Sequence, residues 1–144
     1  MEEKIVNSLS NDLQFIDVFE DDDRLIITCK SSLNNSTCPH CGKVSNKVHQ
    51  KFIKLIQDLP FNQKDVTLKL MTRVFKCDNS NCKHYSFTEN FNFVNPSEKK
   101  SNRMIEKIVK MSMDYSCRKV AKLLNDEGAI ISKATVNNIY NKYK

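Results

Sequence analysis

Four cysteines in two close pairs constrain this chain more than any other feature. Cys38 and Cys41 enclose Pro39-His40 and are followed by Gly42, while Cys77 and Cys82 enclose Asp78-Asn79-Ser80-Asn81. Such spacing lets one turn of backbone present two thiolates to the same ion, and two such pairs supply a tetrahedral sulfur cage suited to one Zn2+. Two disulfides or plain buried thiols are the alternatives. No secretory signal precedes the cysteines, which favours zinc. His40 and His84 adjoin the pairs and each could replace a cysteine. Four sulfurs already saturate the ion, however, and His40 lies on the tight turn between two of them, so both histidines are expected to be bystanders. A closed four-sulfur set leaves no position for water, which makes the expected metal structural rather than catalytic.

The 35 residues between Cys41 and Cys77 exceed the spacing of a compact zinc ribbon and must form a folded element. Val66, Leu68, Leu70, Thr72 and Val74 alternate with Thr67, Lys69, Met71, Arg73 and Phe75, the period of a half-buried strand. The spacing predicts a hairpin with Val48 to Ile56 as partner strand and Asp58-Leu59-Pro60-Phe61-Asn62 as the loop, which brings the two cysteine knuckles together at its open end. Upstream, Leu13 to Phe19 and Arg24 to Cys29 read as a second strand pair around a solvated acidic turn, Glu20-Asp21-Asp22-Asp23. The alternation of Leu25, Ile27 and Cys29 makes Cys29 a core thiol rather than a fifth ligand.

Composition bounds the rest. A chain of 144 residues with 40% hydrophobic content can bury one modest core or two small ones, and no apolar run suffices to span a bilayer, so a cytoplasmic protein with no membrane partner is expected. The net charge of +6 hides an asymmetry: residues 1–23 carry −7 and residues 24–144 carry +13. Such a basic field favours a polyanion, most simply nucleic acid, although a solvated lysine-rich surface has the same composition. A site charged −2 by four thiolates offsets only a little of this excess.

At Asn95-Pro96-Ser97 strand periodicity gives way to helical periodicity, which predicts a boundary between a β module, 1–95, and a helical domain, 96–144. Met104, Ile105, Ile108 and Met111 form the apolar stripe of a first helix starting at Ser97 or Ser101. Ser116 caps a second, with Cys117, Val120, Ala121 and Leu124 on its buried face. Gly128 ends that region, and Ser132 caps a third helix whose stripe is Val136, Ile139, Tyr140 and Tyr143. The fold class is therefore α+β: a small zinc-stabilised β module of ribbon-like hairpins, then a three-helix unit with the layout of a helix-turn-helix. A plain three-helix bundle shares that layout. The outer face of the last helix points to DNA, because Ala134, Asn138 and Asn141, flanked by Thr135, Asn137, Lys133 and Lys142, carry side chains that suit base edges and phosphates. Arg118, Lys119 and Lys122 suit backbone contact from the preceding helix, and Lys51, Lys54, Lys69 and Arg73 of the hairpin are further phosphate candidates.

Taken in order, Cys38-Pro39-His40-Cys41-Gly42, Ser45, Val48-His49, Asp58-Leu59-Pro60, Arg73-Val74-Phe75-Lys76-Cys77-Asp78, Cys82 and Phe87-Thr88-Glu89 resemble the N-terminal region of bacterial insertion-sequence transposases of the ISL-three type. Ser132-Lys133-Ala134-Thr135-Val136 resembles the start of that family's recognition helix. The resemblance implies a zinc module and a helix-turn-helix that bind the terminal inverted repeats of an element as double-stranded DNA, a bacterial protein associated with the nucleoid when bound, and room for a homodimer. Such transposases continue into a ribonuclease-H-like nuclease domain with three acidic residues, whereas this sequence ends at Lys144. Glu106, Asp114, Asp126 and Glu127 match no such motif and are expected to be solvated charges. The chain as given is expected to bind DNA and not to cut it. A stand-alone zinc-containing regulator or repressor would use the same parts, and a protein-interaction module with a basic face is a further class.

Overall fold

The computed structural model describes residues 2–144 and contains four helices and seven strands within them. In chain order these are α1 (Glu2–Leu9), β1 (Leu13–Glu20), β2 (Arg24–Ser31), β3 (Ser36–Thr37), β4 (Val44–Ser45), β5 (Val48–Phe61), β6 (Lys64–Lys76), β7 (Ser86–Thr88), α2 (Asn102–Ser112), α3 (Cys117–Asp126) and α4 (Lys133–Tyr143). The main sheet runs β1-β2-β6-β5, with β7 on the far end of β6. β2 and β6 are parallel, with Leu25, Ile27 and Cys29 beside Val66, Leu68 and Leu70, while β1 pairs β2 and β5 pairs β6 antiparallel. The predicted acidic turn joins β1 to β2, and Asp21 accepts the backbone N–H groups of Asp23 and Arg24 at 2.9 and 2.7 Å.

Alternation decides which side of the sheet is covered. Leu25, Ile27, Cys29, Val66, Leu68, Leu70 and Ile56 share one face with Ile5 and Val6 of α1 and with Phe93 and Val94, forming the largest apolar cluster of the β part. Helix α1 lies outside the three predicted helices. Its apolar residues are few, and only burial of Ile5 and Val6 against the sheet stabilises so short a helix. The β part thus has an apolar core of its own, distinct from the small Cys38, Phe75 and Phe87 cluster at the knuckles.

The hairpin is longer than the sequence predicts. β5 continues through Asp58-Leu59-Pro60 to Phe61, and a register irregularity between Asp58 and Phe61 absorbs the proline, which cannot donate to a ladder. The turn is only Asn62-Gln63, both left-handed at φ 54° and 64°. Two consecutive residues of that conformation match the twist of a tight hairpin.

Each of the last three helices starts at a serine whose side chain accepts a backbone N–H three residues on: Ser101 from Met104, Ser116 from Lys119 and Ser132 from Thr135. Of the two predicted starts for the first of them, Ser101 is the cap. Met104, Ile105, Ile108, Val120, Ala121, Leu124, Val136 and Ile139 form one buried cluster. Met111 and Cys117 reach it only partly, Tyr140 is half-buried and Tyr143 is exposed, so the apolar stripe of α4 is shorter than its periodicity predicts. The helical unit rests on the hairpin tip: Leu59 packs against its core, the Gln57 N–H donates to the Lys99 carbonyl at 2.8 Å, and the Ser101 N–H donates to the Gln57 carbonyl at 2.9 Å.

Candidate metal centre and nucleic-acid interface

The two knuckles meet where β5 and β6 part. In the first, the Gly42 N–H donates to the Cys38 carbonyl and the Cys38 N–H to the Lys43 carbonyl, both at 2.9 Å. Gly42 holds the turn at φ +79°, a conformation that favours a residue without Cβ. In the second, the Cys82 N–H donates to the Asn79 carbonyl at 3.0 Å and the Cys77 N–H to the Tyr85 carbonyl at 2.9 Å. The buried Ser45 hydroxyl ties the pair together by donating to the Lys76 carbonyl at 2.5 Å. Phe75 and Phe87 stack beneath at 5.7 Å between ring centres.

This scaffold brings the Sγ atoms of Cys38, Cys41, Cys77 and Cys82 within 4.8 Å of one another, with Cys41 and Cys77 at 3.5 Å. Sulfurs about 2.3 Å from a zinc ion at tetrahedral angles lie under 4 Å apart, so the cluster needs only slight contraction to close around the metal. Its electrostatics fit a cation. The Lys43 amide, opposed by burial and assisted by Asn79 and the Cys77 and Cys38 thiols, draws Cys41 down to about 6. The Asn79 amide favours a thiolate at Cys77 too, yet burial and the Cys41, Cys38 and Cys82 sulfurs push Cys77 up to about 12. Thiolates this close cannot all ionise alone, and a dication removes that conflict. One structural zinc, held by the four predicted cysteines, is the cofactor this donor set defines.

His40 and His84 are not in the cluster. They stack on each other, ring centres 3.5 Å apart, exposed beside the knuckles. Cys29 is fully buried, and burial alone pushes its thiol up to about 11, as suits the core thiol the alternation predicts.

The predicted DNA-contacting residues divide by what the fold does with them. On α4, Lys133, Asn137, Asn138 and Asn141 are exposed, as are Arg118 and Lys119 on α3. The Thr135 side chain is half-buried, and its hydroxyl shares a 3.0 Å hydrogen bond with Ser132 in the cap. Three others already have partners. Lys142 pairs with Glu98, which also accepts from the Tyr143 hydroxyl at 2.6 Å. Lys54 donates to the Pro96 carbonyl at 3.0 Å. Arg73 forms a two-pronged pair with Glu89 at 2.8 and 3.0 Å, and the Glu89 side chain is only 4% exposed. A strand pattern reports which face a residue takes but not which partner the fold brings opposite, and the sequence did not reveal these three contacts. Lys51 and Lys69 remain exposed on the hairpin. The late acids are scattered, Glu127 pairing with Lys107 at 3.2 Å and Asp126 with Lys122 at 3.1 Å.

Sequence reasoning took Asp58 for a loop residue, and it is the most buried acid of the chain at 0% exposure. It accepts from the Ser101 hydroxyl at 2.6 Å and from Arg103 Nε at 2.9 Å. The available signal was a single acid between the apolar Ile56 and Leu59 on a continuing strand.

Fold and site together define an α+β chain whose mixed sheet carries a four-cysteine zinc site at one end. Residues 35–82, which contain all four cysteines, match the family model described as the zinc-finger of transposase IS204/IS1001/IS1096/IS1165. That match covers about a third of the chain and supports a zinc ribbon similar to that of ISL-three-type transposases at residues 35–82. None of the curated proteins and none of the solved structures compared with the chain matches it. No helix among the described residues is long and apolar enough to cross a membrane.

Proposed function

We propose that this chain is a DNA-binding part of a transposase, in which the zinc ribbon and the α2–α4 unit together recognise terminal inverted repeats and perform no chemistry themselves. The observation that carries this reading is the zinc ribbon itself, whose four thiolates and family match coincide within residues 35–82. The α2–α4 unit supports it: three serine-capped helices close one core, with Gly128 in the α3–α4 connection, in the manner of a helix-turn-helix. In this assignment α4 is the recognition helix. Asn138 and Asn141 read base edges, asparagine being able to contact adenine through two hydrogen bonds, and Lys133 reaches phosphate. Arg118 and Lys119 on α3 and Lys51 and Lys69 on the hairpin neutralise further phosphates.

Replacing Asn138 with alanine is expected to relax base preference by about 1–3 kcal/mol at one position, whereas Lys69→Ala weakens binding to all duplexes alike and lowers the salt slope by about one unit. Equal effects of Asn138→Ala on cognate and scrambled duplexes would remove α4 from the reading role. A repressor that occupies the same repeats would pass this test too. The two roles separate when full transposition is reconstituted with a nuclease-bearing partner.

A further inference from the structure

The Asp58-Leu59-Pro60 segment has no part in the zinc site and none in the proposed reading helix, yet it lies at the centre of a buried polar junction. Asp58 is fully buried and receives Ser101 Oγ at 2.6 Å and both prongs of Arg103. Ser101 is also the cap of α2, so the carboxylate grips the first residue of the helical unit. Arg103 continues to α1, donating to Ser8 Oγ at 2.8 Å. A second acid of the same hairpin, Asp65, accepts the Ile130 N–H at 3.0 Å and the Gln57 side-chain amide at 2.7 Å, and that amide also donates to the Ile130 carbonyl at 2.9 Å. Thus the helical unit is fastened to one hairpin tip at two points, Ser101 before α2 and Ile130 in the α3–α4 connection. Gly128 meets that tip backbone to backbone at Gln63 and Lys64.

The opposite end of the same hairpin holds the zinc. β6 is 13 residues long, which at about 3.3 Å per residue separates tip from knuckles by about 40 Å. Pro96 and Glu98 lie beside Lys54, and Glu98 holds Lys142 of α4, so the helical unit leans from the tip along β5 as far as Lys54, with the knuckles beyond it. The two-stranded hairpin therefore carries the clamped helical unit along its tip half and the four-cysteine site at its other end.

We propose that Asp58 is a positioning residue. By holding Ser101 and Arg103 on the hairpin tip it fixes α4 at one distance and orientation from the knuckle end, so that the chain engages a duplex at two places with a single allowed spacing. The proposal rests on the DNA reading above for the spacing and on the junction alone for the clamp. If the clamp were loose, the two contacts would behave as flexibly tethered modules and would tolerate altered spacing.

Two measurements on the full zinc-loaded chain test it. Spin labels on non-cysteine encoded side chains at Lys83 and Asn141 report the distance between the two ends without DNA. A narrow distribution is expected for the wild type and a broadened one for Asp58→Asn. Arg103→Lys, which keeps the charge but loses the fork, gives a milder broadening and decides the matter if Asp58→Asn fails to load zinc. In the second measurement, hydroxyl-radical footprinting of the zinc-loaded wild type on the inverted-repeat duplex locates its protected segments, a single segment overturning the spacing role, and five base pairs are then inserted between two such segments. The expected outcome is a loss of about tenfold or more for the wild type and less than about threefold for a folded clamp variant, since a flexible tether recovers most of the effective concentration. A broad wild-type distribution, or variants as narrow as the wild type, overturns the clamp. Indifference of the wild type to insertion, or an equal penalty in both proteins, overturns the spacing role. Narrow distances with no duplex binding overturn the DNA reading and the spacing role with it, and leave Asp58 as a structural clamp only.

Discussion

Gly42 and Gly128 both have positive φ, at 79° and 111°, but they differ in what surrounds them. An alanine Cβ at Gly42 meets nothing within 4 Å. At Gly128 it would fall 2.5 Å from the Lys64 nitrogen and 2.7 Å from the Gln63 oxygen, both backbone atoms of the hairpin turn. Ordinary carbon contacts lie near 3.5–4.0 Å, so about 1 Å of movement is required between two backbones that hydrogen bonds and Leu59 hold in place. The conformational term is about 1–2 kcal/mol for a non-glycine residue at Gly42 and at least as large at Gly128, whose φ lies further from the left-handed region. Overpacking adds about 1–3 kcal/mol at Gly128 alone. Gly128→Ala is therefore expected to cost about 2–5 kcal/mol and Gly42→Ala about 1–2 kcal/mol. Guanidinium unfolding of both zinc-loaded variants, followed by the helix signal for Gly128→Ala and by zinc release for Gly42→Ala, gives the two costs from their midpoints. Equal costs within about 0.5 kcal/mol would refute the close approach of helical unit and hairpin tip.

Chelation is expected to release one zinc per chain and to disorder the knuckles and the adjoining ends of β5, β6 and β7. The α2–α4 helices and the larger sheet core keep their signal in circular dichroism, because their apolar clusters lie apart from Cys38, Phe75 and Phe87; retention of all strand signal would deny zinc a structural role. Arg73→Gln strands a nearly buried carboxylate at Glu89, and a loss of about 3 kcal/mol in urea is expected with no change in the salt slope of DNA binding, whereas a fall of one unit in that slope would show Arg73 to be a phosphate contact. Hydrogen bonds from Lys142 and Tyr143 hold Glu98 below the ordinary glutamate value, so its contribution is full above that value and is lost as pH falls through the lowered one. Glu98→Gln should flatten the acid limb of the stability curve below about pH 5, and an unchanged limb would show that the α4 tether does not hold in solution.

The zinc ligands, the strand alternation and the serine caps Ser116 and Ser132 could be read from the chain because each depends on short-range spacing, while the first cap was narrowed to Ser97 or Ser101. Cys38 and Cys41 must share a turn, Leu68 and Leu70 must share a face, and Ser116 must precede its helix by one residue. What escaped reading depends on long-range company. Asp58-Leu59-Pro60 looks like a loop, and only the bulge after Asp58 shows that a strand can pass through a proline at its edge. Arg73 and Lys142 look like free cations until Glu89 and Glu98 arrive from segments 16 and 44 residues away. Helix α1 has too little apolar pattern to declare itself without the sheet that covers Ile5 and Val6.

The most direct measurement of the central claim is fluorescence anisotropy of the zinc-loaded chain with a duplex from the inverted repeats around its gene, against a scrambled duplex, across a salt series. Specific recognition predicts tight binding with a clear preference for the repeat that persists as salt rises, the preference commonly being about 10³-fold or more for specific DNA-binding proteins. Weak binding, equal for the two duplexes and collapsing with salt, would reduce the chain to a basic surface and contradict the account.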